Sequence, residues 1–539
     1  MTNMNRIIFF LIFMVTVCGV ASADRLPVIP YPSDVKAANG FYNVKNGFDI
    51  TVTDSAFVSE GSFLSEKLAA DGKIVEMKFA RKAKRGIVLA VDDAIAEPEG
   101  YRLEIGRDRI VITAREASGA FYGCQTLLQL INNCRQLPCV TVTDAPRYGW
   151  RGFMRDDARH FTGVESVKQF IDLMAYYKLN RFHWHLTDAQ GWRVEIKKYP
   201  RLATVGGVGS HSDPDALCTY YTQDQIRDIV DYASRRHVMI IPEIDMPGHA
   251  TAANRAYPEY NGGGEGIFPD FTFNPGKEGT YTFLSDVLAE ISDLFPGPYI
   301  HIGGDEVAYG INAWKVDPDV NALMEREGFS NVKQCERYFM NRMIAEVAHL
   351  GKTLLGWDEL IDLDVDKSTH IMWWRHDKPQ YLTRSLVAGY TTVLCPRKPL
   401  YFDFVQHDTH SVGRIWDGFC PLDDVYAFPD PWFESIGVTP DMQQNVSGMQ
   451  ANAWSELMHN SDRVDFMTWP RLCALSEAAW TLPANKDFNS FEQRLDDAYR
   501  LFDSLNIYYF DHRVPEHHAE PVGPVIKKKV RESETEYRD

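Results

Sequence analysis

Residues 298–306 read Pro-Tyr-Ile-His-Ile-Gly-Gly-Asp-Glu. The apolar start of this stretch predicts a buried strand, and Gly303 and Gly304 predict a tight turn at its end. The turn would present Asp305 and Glu306 side by side. Two carboxylates this close cannot both ionise cheaply, so we expect their pKa values to be driven apart. One proton-bearing acid beside one carboxylate suits the cleavage of a glycosidic bond, whereas a surface Asp-Glu turn is the alternative interpretation.

The unit of strand, loop and helix that contains this stretch recurs along the chain. Candidate strands lie at 152–156, 181–186, 238–244, 299–303, 353–357, 370–374, 391–395 and 448–453. Amphipathic helices are predicted between them, for example at 164–179, 223–235, 332–350 and 466–480. Eight such units over residues 148–510 predict an α/β fold, a (β/α)8 TIM barrel. The alternative is an open doubly wound sheet, but no glycine-rich dinucleotide turn follows the first strand.

Polar and aromatic residues recur just beyond the predicted strands. They are Arg159 and His160, Asp188, Asp245 and His249, Asp305 and Glu306, 357–359, Trp374 and Arg375, Tyr401 and Asp403, and Trp454 and Glu456. In such barrels the carboxyl ends of all strands meet at one face, where chemistry takes place. The sequence therefore predicts one pocket ringed by acids and aromatic rings, which is typical of a site that holds a sugar.

The segments that flank the barrel differ from it in their pattern of hydrophobic and polar residues. Residues 24–147 contain alternating strand patterns and one helical stretch at 119–132, which predicts a small α+β domain. Residues 511–539 are interpreted as a C-terminal tail. Residues 1–23 combine Arg6, an apolar run and a small-residue cleavage site, which predicts a signal peptide and an exported protein, periplasmic or secreted. Lipidation at Cys18 is the alternative, although Val17 is bulky for a lipid-attachment site.

Composition excludes several function classes. The 539 residues carry a formal net charge of −18, which argues against nucleic acid or an anionic membrane surface as a partner. The 12 Trp and 25 Tyr fit carbohydrate binding, although core packing explains most of them. No later apolar run is long enough to span a membrane. We predict no metal and no cofactor: His183 and His185 alternate on one strand and point to one face, but sugar contacts explain the nearby acids better, and no cysteine has a histidine partner at zinc spacing. The spacing of Cys134 and Cys139 allows a disulfide.

Six sequence blocks in order resemble those of glycoside hydrolase family 20, the exo-acting β-N-acetylhexosaminidases. The blocks are 158–161 (Ala-Arg-His-Phe), 182–188 (Phe-His-Trp-His-Leu-Thr-Asp), 245–249 (Asp-Met-Pro-Gly-His), 301–306 (His-Ile-Gly-Gly-Asp-Glu), 356–359 (Gly-Trp-Asp-Glu) and 454–456 (Trp-Ser-Glu). The resemblance extends from about residue 26 to about residue 508. It implies a retaining hydrolase that removes terminal β-linked GlcNAc or GalNAc from oligosaccharides and glycoconjugates.

The resemblance also implies a mechanism in which the substrate's own acetamido oxygen is the nucleophile. Glu306 would act as the acid and then as the base, while Asp305 would orient the acetamido N–H and stabilise an oxazolinium ion. Adjacent carboxylates on one strand end cannot easily straddle a sugar ring, so the residues alone agree with this scheme. Two alternatives remain: a glycosidase that uses two protein carboxylates on a sugar without the acetamido group, and an inactive carbohydrate-binding barrel.

The remaining roles are likewise implied by the resemblance. Arg159, Asp403 and Glu456 would bind the outer hydroxyls of the sugar, and Tyr401 would bind the acetamido carbonyl. Trp357, Trp374 and Trp454 would wall the acetamido methyl and the ring. Asp188 and His249 would support the acid from behind.

Three features depart from the family pattern. Arg155 and Asp157 stand where apolar residues are expected, so we expect them to neutralise each other or nearby groups. Ala189 stands where a second acid often follows Asp188. Trp416 and Trp432 are both candidates for a further aromatic residue that contacts sugar.

Overall fold

The computed structural model describes residues 26–266, 268–416 and 418–527. The predicted signal peptide and the end of the predicted tail lie outside these ranges. None of the helices in these ranges is long and apolar enough to cross a membrane.

The first domain is a seven-stranded mixed sheet with two helices packed on it. In the order β1-β7-β5-β6-β4-β2-β3, its strands are β1 (Asp34–Phe41), β2 (Ile50–Val52), β3 (Met77–Phe79), β4 (Gly86–Val91), β5 (Tyr101–Ile105), β6 (Arg109–Ala114) and β7 (Pro138–Asp144). Its helices are α1 (Val58–Ala70) and α2 (Ala117–Asn133). Tyr101, Leu103 and Ile105 on one face of β5 are buried, whereas Arg102 is exposed, as the alternating pattern predicts. The small α+β domain is confirmed.

The second domain is a closed barrel of eight parallel strands. Its strands are β8 (Trp150–Asp156), β9 (Arg181–His185), β10 (Met239–Glu243), β13 (Tyr299–His301), β14 (Thr353–Trp357), β15 (His370–Trp373), β16 (Thr392–Leu394) and β17 (Val446–Ala453). Each predicted strand is present, with its ends moved by a few residues. A two-stranded hairpin, β11 (Asn261–Glu265) and β12 (Phe268–Phe273), is inserted after the third barrel strand.

Helices surround the barrel. They are α3 (Val164–Tyr176), α4 (Arg201–Thr204), α5 (Gln223–Ser234), α6 (Thr251–Ala256), α7 (Glu278–Leu294), α8 (Ile311–Trp314), α9 (Pro318–Glu327), α10 (Val332–His349), α11 (Pro379–Val387), α12 (Arg397–Leu400), α13 (Leu422–Ala427), α14 (Asp430–Ile436), α15 (Pro440–Gln443), α16 (Ser461–Thr468), α17 (Arg471–Trp480) and α18 (Phe488–Ser504). After β14 the connection is a 3₁₀ helix, Asp358–Leu363, instead of an α-helix.

One expectation from the sequence is wrong. The single helix predicted at 466–480 is two helices, α16 and α17, because Pro470 lacks the N–H that would continue the first one. The sequence left the pairing of Cys134 and Cys139 open, and both are free thiols in this structure.

The charges on the first barrel strand are paired as expected. Arg155 Nε lies 3.6 Å from Asp157 Oδ1, and both side chains are buried. Asp157 also accepts hydrogen bonds from Trp184 Nε1 and the Tyr221 hydroxyl, both at 2.8 Å. Arg155 donates to the Ser166 hydroxyl at 2.7 Å. The charges therefore tie the strand to its neighbours and do not leave an unpaired ion in the core.

Candidate active site

The carboxyl ends of the barrel strands surround one pocket of about 330 Å³. The eleven residues to which a role was assigned line it: Arg159, Asp188, His249, Asp305, Glu306, Trp357, Trp374, Tyr401, Asp403, Trp454 and Glu456. The other strand-end residues named from the sequence, His160, Asp245, 358–359 and Arg375, are not part of its lining. The pocket volume suits one small ligand. The structure thus brings together residues that lie up to 297 positions apart in the chain, as the strand-end argument predicts.

The turn that carries the acids depends on its glycines. Gly303 and Gly304 have φ values of 68° and 94°, in the left-handed region that glycine adopts without strain. A Cβ on Gly303 would lie 1.8 Å from Asp245 Oδ1, so no side chain fits there. Glu306 itself has a φ of 50°. Glutamate in this conformation is strained, and the packed turn holds it so that its carboxylate faces the pocket.

Asp305 is a buried carboxyl group without an arginine partner. Burial, followed by the charge of Asp245, raises the pKa of Asp305 well above its usual value, with Glu306 adding to this effect and His249 opposing it. Its Oδ1 atom accepts no hydrogen bond from any residue that the structure describes. Such a group binds a neighbouring positive charge or N–H donor strongly once one is supplied, because neither competes with water here.

Asp188 and His249 form the predicted supporting pair. His249 Nδ1 lies 3.2 Å from Asp188 Oδ1, and His249 Nε2 lies 3.3 Å from Glu306 Oε2. Burial lowers the pKa of His249, but the carboxylates of Asp188, Asp245 and Asp305 outweigh burial and raise it well above its usual value. The imidazolium therefore lies between Asp188 and the acid, at ion-pair distance from Glu306, although its Nε2 makes no hydrogen bond to a described residue.

Arg159 is fixed from behind by carboxylates. Its Nη2 lies 2.8 Å from Asp188 Oδ2, and its Nη1 lies 3.3 Å from Asp156 Oδ2. The guanidinium also lies over the ring of Trp454, 4.9 Å from the centroid. Within the described part of the chain, its Nε atom has no hydrogen-bond partner.

A buried network below the pocket was not predicted. Glu243 on β10 accepts hydrogen bonds from Trp357 Nε1 at 3.0 Å and from His185 Nδ1 at 2.5 Å, and it lies 2.9 Å from His301 Nδ1. His185 in turn contacts Asp188 at 3.0 Å. Glu243 therefore fixes both the floor of the pocket and the group behind Asp188. Its neighbour His183 is one of the two histidines that the sequence placed on a single strand face.

Aromatic rings form the walls. Trp374 stacks on Tyr401 with ring centroids 6.3 Å apart and an interplanar angle of 12°. Trp357 and Trp454 lie 5.9 Å apart at the base. Phe271, from the inserted hairpin, packs edge-on against His249 at 4.8 Å and was not predicted because its strand lies outside the barrel repeat.

The two tryptophans left open by the sequence are now distinguished. Trp416 lines the pocket, is 57% exposed and packs against Phe404. Trp432 instead packs against Trp373, 5.0 Å away, and is absent from the pocket lining. Trp416 is therefore the ring that can contact a ligand.

Three groups of buried donors are close enough to surround an ion: His183, Glu243 and His301; His185, Asp188 and Asp245; and Asp245, His249 and Asp305. Some donors already pair with protein partners, as the contacts of Glu243, His185 and His249 show. In the third group, Asp245 Oδ1, His249 Nε2 and Asp305 Oδ1 make no hydrogen bond to a described residue. The prediction that no metal is used stays a prediction.

The barrel and its carboxylate-lined pocket fit the class of glycoside hydrolases, and the match to known proteins places the chain in that class. Within that class the chain belongs to glycosyl hydrolase family 20. The family's catalytic-domain model matches residues 148–483, and its domain 2 model matches residues 25–145.

Relatives cover both domains. The beta-hexosaminidase of Porphyromonas gingivalis is 36% identical over 509 residues, which are 89% of this chain and 64% of the relative. The GH20 exo beta-N-acetylglucosaminidase of Vibrio harveyi, solved with N-acetylglucosamine, aligns with a TM-score of 0.83 at 32% identity. The alignment covers 90% of this chain and 78% of the Vibrio harveyi chain. The N-acetyl-beta-hexosaminidase of Streptomyces plicatus aligns with a TM-score of 0.79 at 30% identity, over 91% and 97% of the two chains.

Proposed function

We propose that this protein is an exo-acting, retaining β-N-acetylhexosaminidase that removes terminal β-linked N-acetylhexosamine from glycans. One observation carries the proposal. Among the described residues that line the pocket, the other carboxylates are bound to arginines: Asp188 to Arg159, and Asp403 and Glu456 to Arg414. Only Asp305 and Glu306 have no arginine, and they are consecutive on one turn. Two carboxyl groups on one turn cannot easily lie on opposite faces of a sugar ring, so one acts as the acid and the nucleophile is expected to come from the substrate.

The reaction then has two displacements. The acetamido carbonyl oxygen attacks the anomeric carbon while the glycosidic C–O bond breaks and Glu306 gives its proton to the leaving oxygen. The resulting oxazolinium carries a positive charge beside Asp305, which accepts a hydrogen bond from the acetamido N–H. Because this charge is absent in the ground state, Asp305 stabilises the transition state more than the bound substrate. Glu306 next takes a proton from water as the water oxygen attacks the same carbon and the bond from that carbon to the acetamido oxygen breaks, which regenerates the acetamido group and the acid and gives the β-anomer.

The far wall of the pocket supports exo cleavage. Asp403 and Glu456, joined by Arg414, line the pocket and are all largely buried in its wall. Asp403 Oδ1 and Glu456 Oε2 have no hydrogen-bond partner among the described residues. Terminal sugar hydroxyls would supply the missing donors, since leaving such groups unpaired is costly. The ligand of the Vibrio harveyi relative, N-acetylglucosamine, is a sugar of this kind.

Fluorination of the acetamido methyl tests the role of the substrate. Each fluorine makes the carbonyl oxygen less nucleophilic, so kcat/KM for aryl β-N-acetylglucosaminides should fall progressively with one, two and three fluorines. A thiazoline analogue of the intermediate should inhibit tightly, and Asp305→Asn should weaken that inhibition. A rate insensitive to fluorination, or a covalent sugar adduct on Asp305, would contradict the proposal.

Three further measurements test the proposal against its alternatives. NMR of fresh hydrolysate should show the β-anomer first, and α-product first would exclude two displacements. Faster hydrolysis of an aryl β-glucoside than of the N-acetylglucosaminide would favour a two-carboxylate glycosidase. Absence of turnover with retained sugar binding would favour a carbohydrate-binding barrel.

We also propose that the protein is exported. Support comes from the charge, apolar run and small residues of segment 1–23. Fractionation of expressing cells, with N-terminal sequencing of the product, tests this: cleavage after residue 23 and recovery outside the cytoplasm are expected.

A further inference from the structure

Arg414 bridges the two carboxylates at the far wall of the pocket. Its Nε lies 2.7 Å from Asp403 Oδ2, and its Nη2 lies 2.8 Å from Glu456 Oε1. The residue lines the pocket, comes from the connection between β16 and β17, and was not predicted from the sequence. Its planar guanidinium uses two different nitrogens, Nε and Nη2, for the two acids, an arrangement that the single nitrogen of a lysine ammonium does not reproduce.

The backbone fixes Arg414 before any ligand arrives. Arg414 donates its N–H to the Asp403 carbonyl at 2.9 Å, and its own carbonyl accepts from Val405 at 3.1 Å. The C-terminal segment holds the preceding residues, because the Glu520 carboxylate accepts from the N–H groups of Ser411 and Val412 at 2.8 and 3.0 Å. Arg414 therefore lies on a loop whose backbone is held in place by hydrogen bonds.

The charges in this wall are unevenly compensated. Burial opposes ionisation of Glu456, but Arg414 and then Arg159 outweigh it and lower its pKa to about 2. Burial prevails at Asp403 and raises its pKa to about 6, against the effect of Arg414. Each acid gives one oxygen to Arg414 and keeps the other without a partner. Two acceptors are thus fixed in place by one cation.

We propose that Arg414 is a positioning residue for substrate specificity, which orients Asp403 and Glu456 so that their remaining oxygens accept hydrogen bonds from the hydroxyls at the non-reducing end of the terminal sugar. This inference rests on the proposed function. It also assigns a substrate property: the end of the sugar is bound as neutral hydroxyls, because two carboxylates already occupy Arg414 and would repel an anionic substituent such as a sulfate.

The test compares sugars that lack single hydroxyls. Aryl β-N-acetylglucosaminide and its 4-deoxy and 6-deoxy analogues are assayed with wild type, Arg414→Lys and Arg414→Met. In the wild type, loss of a bound hydroxyl should lower kcat/KM by about 10- to 100-fold, the range for a hydrogen bond to a charged group. In Arg414→Met, kcat/KM for the parent should fall by a similar factor, whereas kcat/KM for the deoxy analogues should fall little. Discrimination, the ratio of kcat/KM for the parent to that for a deoxy analogue, should therefore shrink to about threefold or less. Arg414→Lys should be intermediate.

Arg384→Met is the matched control, because Arg384 pairs with Asp362 on the exposed side of α11, away from the pocket. It should leave both turnover and discrimination unchanged. Thermal unfolding of each variant checks folding. If Arg414→Met does not fold, Arg414→Lys decides, and the proposal requires its discrimination to fall.

Three outcomes overturn the inference. A lower kcat/KM with unchanged hydroxyl discrimination would make Arg414 merely structural. Full activity in Arg414→Met would remove it from the site. Preference of the wild type for a 6-sulfated sugar, lost in Arg414→Met, would make Arg414 an anion-binding residue. Failure of the wild type to hydrolyse the parent substrate would instead refute the proposed function, so the two failures are distinguishable.

Discussion

At the scale of single residues, the two groups that face each other at the acid are both strained. Glu306 and His249 have φ values of 50° and 52°, and their side chains lie 3.3 Å apart. A left-handed conformation is costly for residues other than glycine and persists only where surrounding packing imposes it. Here the strain sets the direction of the acid and of the imidazolium that supports it.

Glu306→Gln should discriminate between leaving groups. The amide cannot donate a proton, so kcat/KM should fall by about 10²–10⁴ on substrates with poor leaving groups and much less on activated aryl glycosides. Steady-state kinetics on a series of aryl leaving groups measures this difference. An equal loss across the series would contradict the role of Glu306 as the acid.

Asp403 should give the substrate affinity a pH dependence. Its pKa is raised to about 6 by burial, so the carboxylate is ionised above that pH and protonated below it. The neutral form binds Arg414 and accepts from sugar more weakly, so KM should rise as the pH falls from 7 to 5. The pH profile of Asp403→Asn should lack this inflection and have a uniformly high KM. An unchanged inflection in that variant would assign the titration to another group.

At the scale of elements, the turn after β13 sets the position of both acids. The strand is short, and Gly303 and Gly304 follow it in a turn that leaves no room for side chains. A Cβ added to Gly303 would clash with Asp245, and one added to Gly304 would lie 3.0 Å from Leu360. The positions of both acids thus depend on two glycines, whose lack of a side chain allows this turn.

Gly303→Ala tests this element. A methyl group would clash with Asp245 Oδ1 and the residue would keep a positive φ, so we expect a loss of about 1–3 kcal/mol of stability and of most activity. Gly351→Ala is the control, since Gly351 has a φ of 72° but nothing within 4 Å of its added Cβ. It should lower the unfolding temperature slightly and leave kcat unchanged. Equal activity in the two variants would contradict the steric argument.

At the scale of the whole molecule, the first domain packs on the end of the barrel opposite the pocket. Glu99 binds Arg151 at the start of β8 at 2.7 Å. Asp144, at the end of β7, is buried and binds Lys178 at 3.2 Å and Trp480 at 3.0 Å. These contacts involve the amino ends of the barrel strands, which are the stabilising face in this fold.

Asp144→Asn should therefore destabilise the protein without altering catalysis. The change leaves the buried Lys178 ammonium without a counter-charge, which costs about 3–5 kcal/mol when a buried pair is broken. The apparent Tm should fall clearly, while kcat and KM at low temperature stay at wild-type values. Asp34→Asn, at an exposed ion pair with Lys36 in the same domain, should change neither. A large loss of kcat in Asp144→Asn would connect this domain to the site.

The sequence by itself determined the barrel, its eight strands and the eleven residues brought to the pocket. These are local signals: hydrophobic periodicity defines each strand, and closure places every strand's carboxyl end at one face, so residues that follow the strands must meet. Only the tertiary structure decided the placement of Arg414, Phe271 and Glu243 and the choice of Trp416 over Trp432. Arg414 and Phe271 come from irregular connections and Glu243 from inside the barrel, where no periodicity marks a partner. Their roles follow from distances and burial that arise when distant segments pack together.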